Sequence, residues 1–270
     1  MLFDKTISDY VERTEEKYRT QIDVSIAGTK VYGIYKDVEP EGVKGLNCDM
    51  EILIEDLDAS DAVMKFGGAS AAVLNFASYS RPGSTFLLGG LDQESDLCKH
   101  SFLYNVLRQC PDYYQWNCVN VNRGMGRKHA LYTPYVIFEK DGEHRRIDVI
   151  SCSIQNWAVA RTYGITNTEN VRELKERISF VLKIAEENGI KRLILGAWGC
   201  GSFGQKATTV AKAFADVLCN HRSFSQVIFA IPNCGDDNLE RFKKSLIKFR
   251  KSLINFRKSL VDFKTLNCFE

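Results

Sequence analysis

The sequence has no CxxC pair among its nine cysteines, and their spacing does not repeat. A disulfide framework and a cysteine-rich zinc site are therefore not expected, and a reducing, cytoplasmic setting is. Charge imbalance is also missing: 36 Lys and Arg stand against 34 Asp and Glu, for a net charge of +2. No global electrostatic drive toward nucleic acid follows, and none is expected. No apolar run approaches bilayer-spanning length, and the opening "MLFDKTISDYVERTEEKYR" has no apolar core of signal-peptide type. Histidines are few. His100, His129, His144 and His221 lie apart, with no metal-ligand spacing, so structural or solvated roles and no metal or cofactor are expected.

What remains is an ordinary globular composition, 44% hydrophobic and 26% charged over 270 residues, long enough to bury a substantial core. Residues 4–20 carry helical spacing at Ile7, Tyr10, Val11 and Tyr18. "MEILIED" (50–56) reads as a strand, "DASDAVMKFGG" (58–68) as a capped helix, and "AAVLNFA" (71–77) as a strand buried on both faces. A helix is predicted over residues 92–110, and two strands flank the turn signal at Asp141 and Gly142. "TENVRELKERISFVLKIAEENG" is an amphipathic helix closed by Gly189, followed by the buried strand "KRLILG", the helix "TTVAKAFADVLCN" and the strand "SQVIFAIP". Apolar strands alternating with amphipathic helices predict an α/β sandwich around a central mixed sheet.

Two strand-to-glycine-loop junctions stand out, "VLNFASYSRPGSTFLLGG" and "LILGAWGCGSFG". Ligands in such sheets bind at the carboxyl ends of strands. If the loops lie side by side, their N–H groups and the following helix starts can converge on a diphosphate. Neither loop has the glycine spacing of the dinucleotide fingerprint or the Gly-Lys-Ser/Thr ending of the Walker loop.

At these residues the chain resembles macrodomains of the microbial poly(ADP-ribose) glycohydrolase type. That family shows "VLNFAN", "PGGG", "QEE" opening a helix, and a "GCGVFGN"-like loop after a later strand. Here "VLNFAS" (73–78), "PGST" (82–85), "QES" (93–95) and "AWGCGSFGQ" (197–205) stand in that order, and the resemblance extends over residues 46–235. It implies a macrodomain-like three-layer α/β/α sandwich and a pocket for ADP-ribose or ADP-ribosylated protein. Asn75 and Gln93 would flank that pocket. Gly83, Ser84 and Thr85 would meet the distal ribose and diphosphate. Gly199, Cys200, Gly201, Ser202, Phe203 and Gly204 would form the second phosphate loop, with Phe203 against the ligand.

The departures from the family pattern are Ser78 for the last Asn of "NFAN", Ser84 and Thr85 for two glycines, and Ser95 for the second Glu of "QEE", the residue that in the family protonates the departing group. A serine hydroxyl is not an acid at neutral pH, whereas glycosidic cleavage needs a carboxyl near the leaving oxygen. Three readings stay open: a structural or interaction protein that binds nothing nucleotide-like, and two that keep the pocket. In one the protein is an ADP-ribosyl hydrolase whose chemistry has moved to Glu94 or Asp92, one helical turn before Ser95. In the other it is a reader that binds ADP-ribose without turnover.

The organisation expected is an N-terminal helical and strand extension over 1–45, the macrodomain over 46–240 and a helix over 241–270. In that last segment, Phe242, Phe249, Phe256 and Phe263 recur every seven residues, with Leu246, Leu253 and Leu260 between them. This is the seam spacing of a coiled coil, opposite a face rich in Lys and Arg. Packing on the domain, self-association, or contact with an anionic membrane or acidic partner all fit it; the oligomeric state is left open.

Overall fold

The computed structural model describes residues 5–33 and 50–248. Its centre is the strand β3 (Ala71–Phe76), which pairs in parallel with β5 (Glu143–Cys152) on one side and β6 (Arg192–Leu195) on the other. Five successive residues of β3 are buried, as its unbroken apolar run predicts for a strand covered on both faces. Outward from β5 lie β4 (Ala130–Lys140), antiparallel to it, and the short edge strand β1 (Lys30–Tyr32). Outward from β6 lie β7 (Gln226–Ala230) and the edge strand β2 (Glu51–Glu55), both parallel. The order is β1-β4-β5-β3-β6-β7-β2, a mixed seven-stranded sheet. The β4–β5 hairpin turns at Asp141 and Gly142, φ +51° and +80°, the left-handed pair that a two-residue hairpin requires.

Helices cover both faces. On one side α1 (Lys5–Gly28), α2 (Ala59–Phe66), α3 (Gln93–Lys99), α4 (Leu103–Leu107) and α5 (Pro111–Val119) pack on Ala71, Val73, Ile147, Val149 and Ile228. On the other, α6 (Trp157–Ala160) is followed by α7 (Asn167–Glu187) and α8 (Ala207–Leu218); these last two cover Ala72, Leu74, Ile150, Leu193 and Phe229. The alternation along each strand thus divides the side chains between two cores, giving the three-layer sandwich. A capping box starts α7, with the Thr166 hydroxyl meeting the Glu169 N–H and the Glu169 carboxylate returning to the Thr166 N–H.

The structure corrects two expectations. The helix predicted over 92–110 is two helices, because residues 100–102 leave the helical path to meet β4. Ser101 bridges to Phe138, and the Glu139 N–H donates to the His100 carbonyl at 2.8 Å. Sheet pairing outweighs a helical pattern there, and Pro111 then opens α5. The domain also continues past residue 240. A last helix begins at residue 238, and Phe242 and Leu246 are buried in the core facing α7 and α8, with the Phe242 ring 5.0 Å from that of Phe229. The later units of the sevenfold repeat, and the boundary expected at residue 45, lie outside the described residues.

Docking of this helix predicts that Phe242→Ala destabilises the protein by about 3–5 kcal/mol. Urea unfolding of the full chain and the variant measures this; a difference near zero would mean the helix is not packed as described.

Candidate active site

Residues 77–92 connect β3 to α3, and residues 196–206 connect β6 to α8, so both glycine loops leave neighbouring parallel strands at the same end of the sheet. Phe76, the last residue of β3, and Trp198 in the second loop stack with ring centroids 6.3 Å apart.

The first loop is fastened to α3. Asp92 caps the helix: Oδ1 accepts from the Ser95 N–H at 3.0 Å, while Oδ2 accepts from the Ser95 hydroxyl at 2.8 Å and the Thr85 hydroxyl at 2.5 Å. Burial opposes its charge, but hydrogen bonds from Thr85, Ser95 and Ser84 outweigh burial and hold the carboxyl below its ordinary range. Gly90 closes the loop over this cluster, and a Cβ there would fall 1.9 Å from Thr85 Oγ1. Gly83, at φ +70°, would place a Cβ 2.9 Å from the Tyr104 ring, so both its conformation and its surroundings demand glycine.

Gln93 and Asn75 act on the protein's own main chain and side chains. Gln93 Oε1 accepts from the Phe76 N–H and its Nε2 donates to the Leu74 carbonyl, each at 2.8 Å, tying the start of α3 to the end of β3. Asn75, fully buried, donates from Nδ2 to Ser151 Oγ at 3.0 Å and to Glu94 Oε1 at 3.2 Å. Both side chains thereby tie the end of β3 to its neighbours, and Asn75 Oδ1 stays buried without a hydrogen-bond partner among the described residues.

Glu94 is the buried carboxyl at this junction, with no exposed surface. Its Oε2 accepts from the Ser78 N–H at 2.8 Å. Burial pushes its pKa up to about 7, against the opposing hydrogen bonds from Ser78, Asn75 and Gly83 and with the help of the nearby Asp92 charge. The two acids expected here therefore differ in chemistry. Asp92 is a cap whose two oxygens already accept three hydrogen bonds, which favour its charged form. Glu94 changes protonation near neutrality, the property an acid–base group needs.

The second loop is built of main-chain atoms. The Gly204 N–H donates to Gly201 O at 2.9 Å, the Gln205 N–H to Gly199 O at 3.0 Å, and the Ala158 N–H to Phe203 O at 3.0 Å. Below it the Gln205 and Asn170 amides exchange hydrogen bonds, each at 2.9 Å, and Gln155 joins them. The N–H groups of Gly201, Ser202 and Phe203 have no acceptor among the described residues, and Gly201 faces open space. Such a row of free amides next to a helix start suits an anion. Burial, with a contribution from Asp236, pushes the Cys200 thiol up to about 12, so it stays protonated and lends the loop its backbone rather than a nucleophile. Among the described residues no group of three or more His, Cys, Asp or Glu could hold a metal ion, and no helix is long and apolar enough to cross a membrane.

Residues 6–141 match the family of the microbial-type PARG catalytic domain, half of the chain. The chain belongs to this family. Poly(ADP-ribose) glycohydrolase (PARG) from Thermomonospora curvata, bound to the inhibitor ADP-HPD, superposes with a TM-score of 0.74 at 26% identity, covering 88% of this chain and 97% of that one. A second crystal structure of the Thermomonospora curvata enzyme gives 0.77 at 26% identity, with 89% and 98% covered. The enzyme from Deinococcus radiodurans in complex with ADP-ribose gives 0.72 at 25%, with 84% and 97% covered. No curated sequence matches. In this PARG-family chain, sequence reasoning missed Tyr79, Ser151, Ser153, Asn170 and Arg177. The one legible signal was Arg177, a charge within the apolar stripe Leu174, Ile178 and Val181 of α7.

The raised pKa of Glu94 sets a sign for stability. Its neutral form is favoured on folding, so its contribution is complete below about pH 4.5 and is lost as pH rises through about 7, by roughly 3 kcal/mol. Glu94→Gln should lack this decline. Urea unfolding at pH 5 and pH 8 should show the variant gaining on the wild type at the higher pH; parallel changes in the two proteins would refute the assignment.

Proposed function

We propose that the protein binds ADP-ribose and hydrolyses ADP-ribosyl glycosidic bonds, with Glu94 as the proton donor. The observation carrying this reading is a buried carboxyl with a pKa near 7 where the first loop and the start of α3 meet the end of β3, in a family whose solved members include glycohydrolases bound to ADP-ribose or ADP-HPD. The diphosphate would lie on the free N–H groups of residues 201–203. This explains how a nearly neutral chain holds a dianion without a cluster of basic side chains. With Glu94 buried beneath residues 78–83, substrate has to bring its leaving oxygen under that segment. Cleavage passes through an oxocarbenium-like state; protonation of the leaving oxygen by Glu94 breaks the glycosidic bond and water completes the reaction. Thr85, standing where the family pattern has glycine, would narrow the loop and favour a single ADP-ribosyl group over a polymer.

The second reading, a reader without turnover, is favoured by one observation: Ser95, at the position of the family's second Glu, has its hydroxyl bound to Asp92.

Mass spectrometry of mono-ADP-ribosylated acceptors and of poly(ADP-ribose) tests both readings. Release of ADP-ribose is expected, falling by about a hundredfold or more in Glu94→Gln with binding largely retained. Because the acid must be protonated, the rate should fall as pH rises above about 7. Binding without release would establish the reader. A Cβ at Gly201 would have open space around it, so Gly201→Glu should abolish binding by placing a carboxylate against the diphosphate. A flat calorimetric titration of wild type at millimolar ADP-ribose would sink the pocket itself.

A further inference from the structure

Arg177 has no exposed surface. Burying a guanidinium is unfavourable unless its donors are met. Nη1 donates to the Tyr79 hydroxyl at 3.0 Å and to Ser153 O at 2.9 Å; Nη2 donates to Met125 O at 3.0 Å and to Glu173 Oε1 at 2.6 Å. The Tyr79 hydroxyl itself donates to Met125 O at 3.3 Å. Gly126 lies so close to the phenol that a Cβ there would fall 1.8 Å from its oxygen. One cation therefore ties together three segments at the site end of the sheet: that after β3, that before β4 and that after β5.

The tie encloses Ser78. Tyr79 is held by Arg177, and Ala77 is held through its carbonyl, which accepts from Ser153 Oγ at 2.7 Å. Ser153 is in turn a partner of Arg177. Between them stands Ser78, whose N–H donates to Glu94 Oε2. None of the four Arg177 acceptors belongs to residues 196–206, which have their own amide frame. An apolar side chain on α7 would fill the same space at less electrostatic cost. A planar fork with several donors instead fixes direction, which is what the delivery of one N–H to one carboxylate needs.

We propose that Arg177 and Tyr79 are positioning residues for Glu94, holding residues 77–80 so that the Ser78 N–H orients the carboxyl. This rests on Glu94 being the proton donor. The other titratable groups near Glu94 are Asp92 and Cys98 around α3, and Tyr113 and Tyr114 on α5. The variants below leave all four unchanged.

Tyr79→Phe removes one oxygen and leaves the core filled; Arg177→Met removes the whole tie and serves as the stronger but riskier variant. In Tyr79→Phe, kcat should fall by about tenfold or more, with KM and the Kd for ADP-ribose within about threefold of wild type. The alkaline limb of the pH–rate profile should move upward, because the ionised carboxylate loses a well-placed donor. Amide hydrogen exchange across residues 77–80 should quicken by about tenfold while residues 197–205 keep their protection. An unchanged kcat and pH limb, or a rise in Kd matching the fall in kcat, overturns the proposal. If wild type binds ADP-ribose but releases none, the glycohydrolase reading fails by itself. Exchange then decides the tie separately, and unchanged protection of residues 77–80 in Tyr79→Phe would overturn it.

Discussion

The Glu94 carboxyl lies in the interior against the end of β3, where water cannot solvate it. A carboxyl in that position is tolerable only with directed donors or with a proton of its own. Both occur: Asn75 and the Ser78 N–H supply the donors, and burial brings the pKa to about 7. Most of the surrounding architecture follows from this requirement. Asn75 must end the strand facing α3, Ser151 must meet Asn75 from β5, and the chain after β3 must turn back at once so that Ser78 reaches Oε2.

The two loops meet their demands by different means. The first is fastened by side chains, Thr85 and Ser95 converging on Asp92 and Gln93 gripping the end of β3. The second is fastened by its own main chain and by amides beneath it, which leaves three consecutive N–H groups facing outward. A loop held by side chains can change composition when those side chains change together. A loop that offers its backbone as the ligand tolerates little besides glycine and small residues at its exposed turn. The departures from the family pattern at residues 78, 84, 85 and 95 all fall in the first loop and the start of α3.

Thr85 and Ser95 also show that a departure need not leave a gap. Two short hydroxyl side chains share one carboxylate oxygen with Gly90 folded over them, so this corner of the site is closed by hydrogen bonds. A longer side chain at either position would have to displace the other or lift Gly90.

Much of the fold was legible in the sequence. The double-faced burial of β3 was readable in "AAVLNFA", the hairpin in Asp141-Gly142, and the amphipathic α7 in its spacing, because each is set by local pattern and turn chemistry. The two glycine loops and their family likeness were readable for the same reason: each is a contiguous run that directly follows a strand. The sequence could not separate Asp92 from Glu94, two acids two positions apart. Only packing decided that one side chain faces the loop as a cap and the other faces inward beneath β3. Nor could it show that residues 100–102 leave the helix, since their partner Phe138 is distant in the chain. The joining of Tyr79, Met125, Ser153 and Arg177 around one guanidinium likewise has no local signature beyond a charge in an apolar stripe, because its members come from four segments that only the assembled sheet and its covering helix bring within hydrogen-bonding distance.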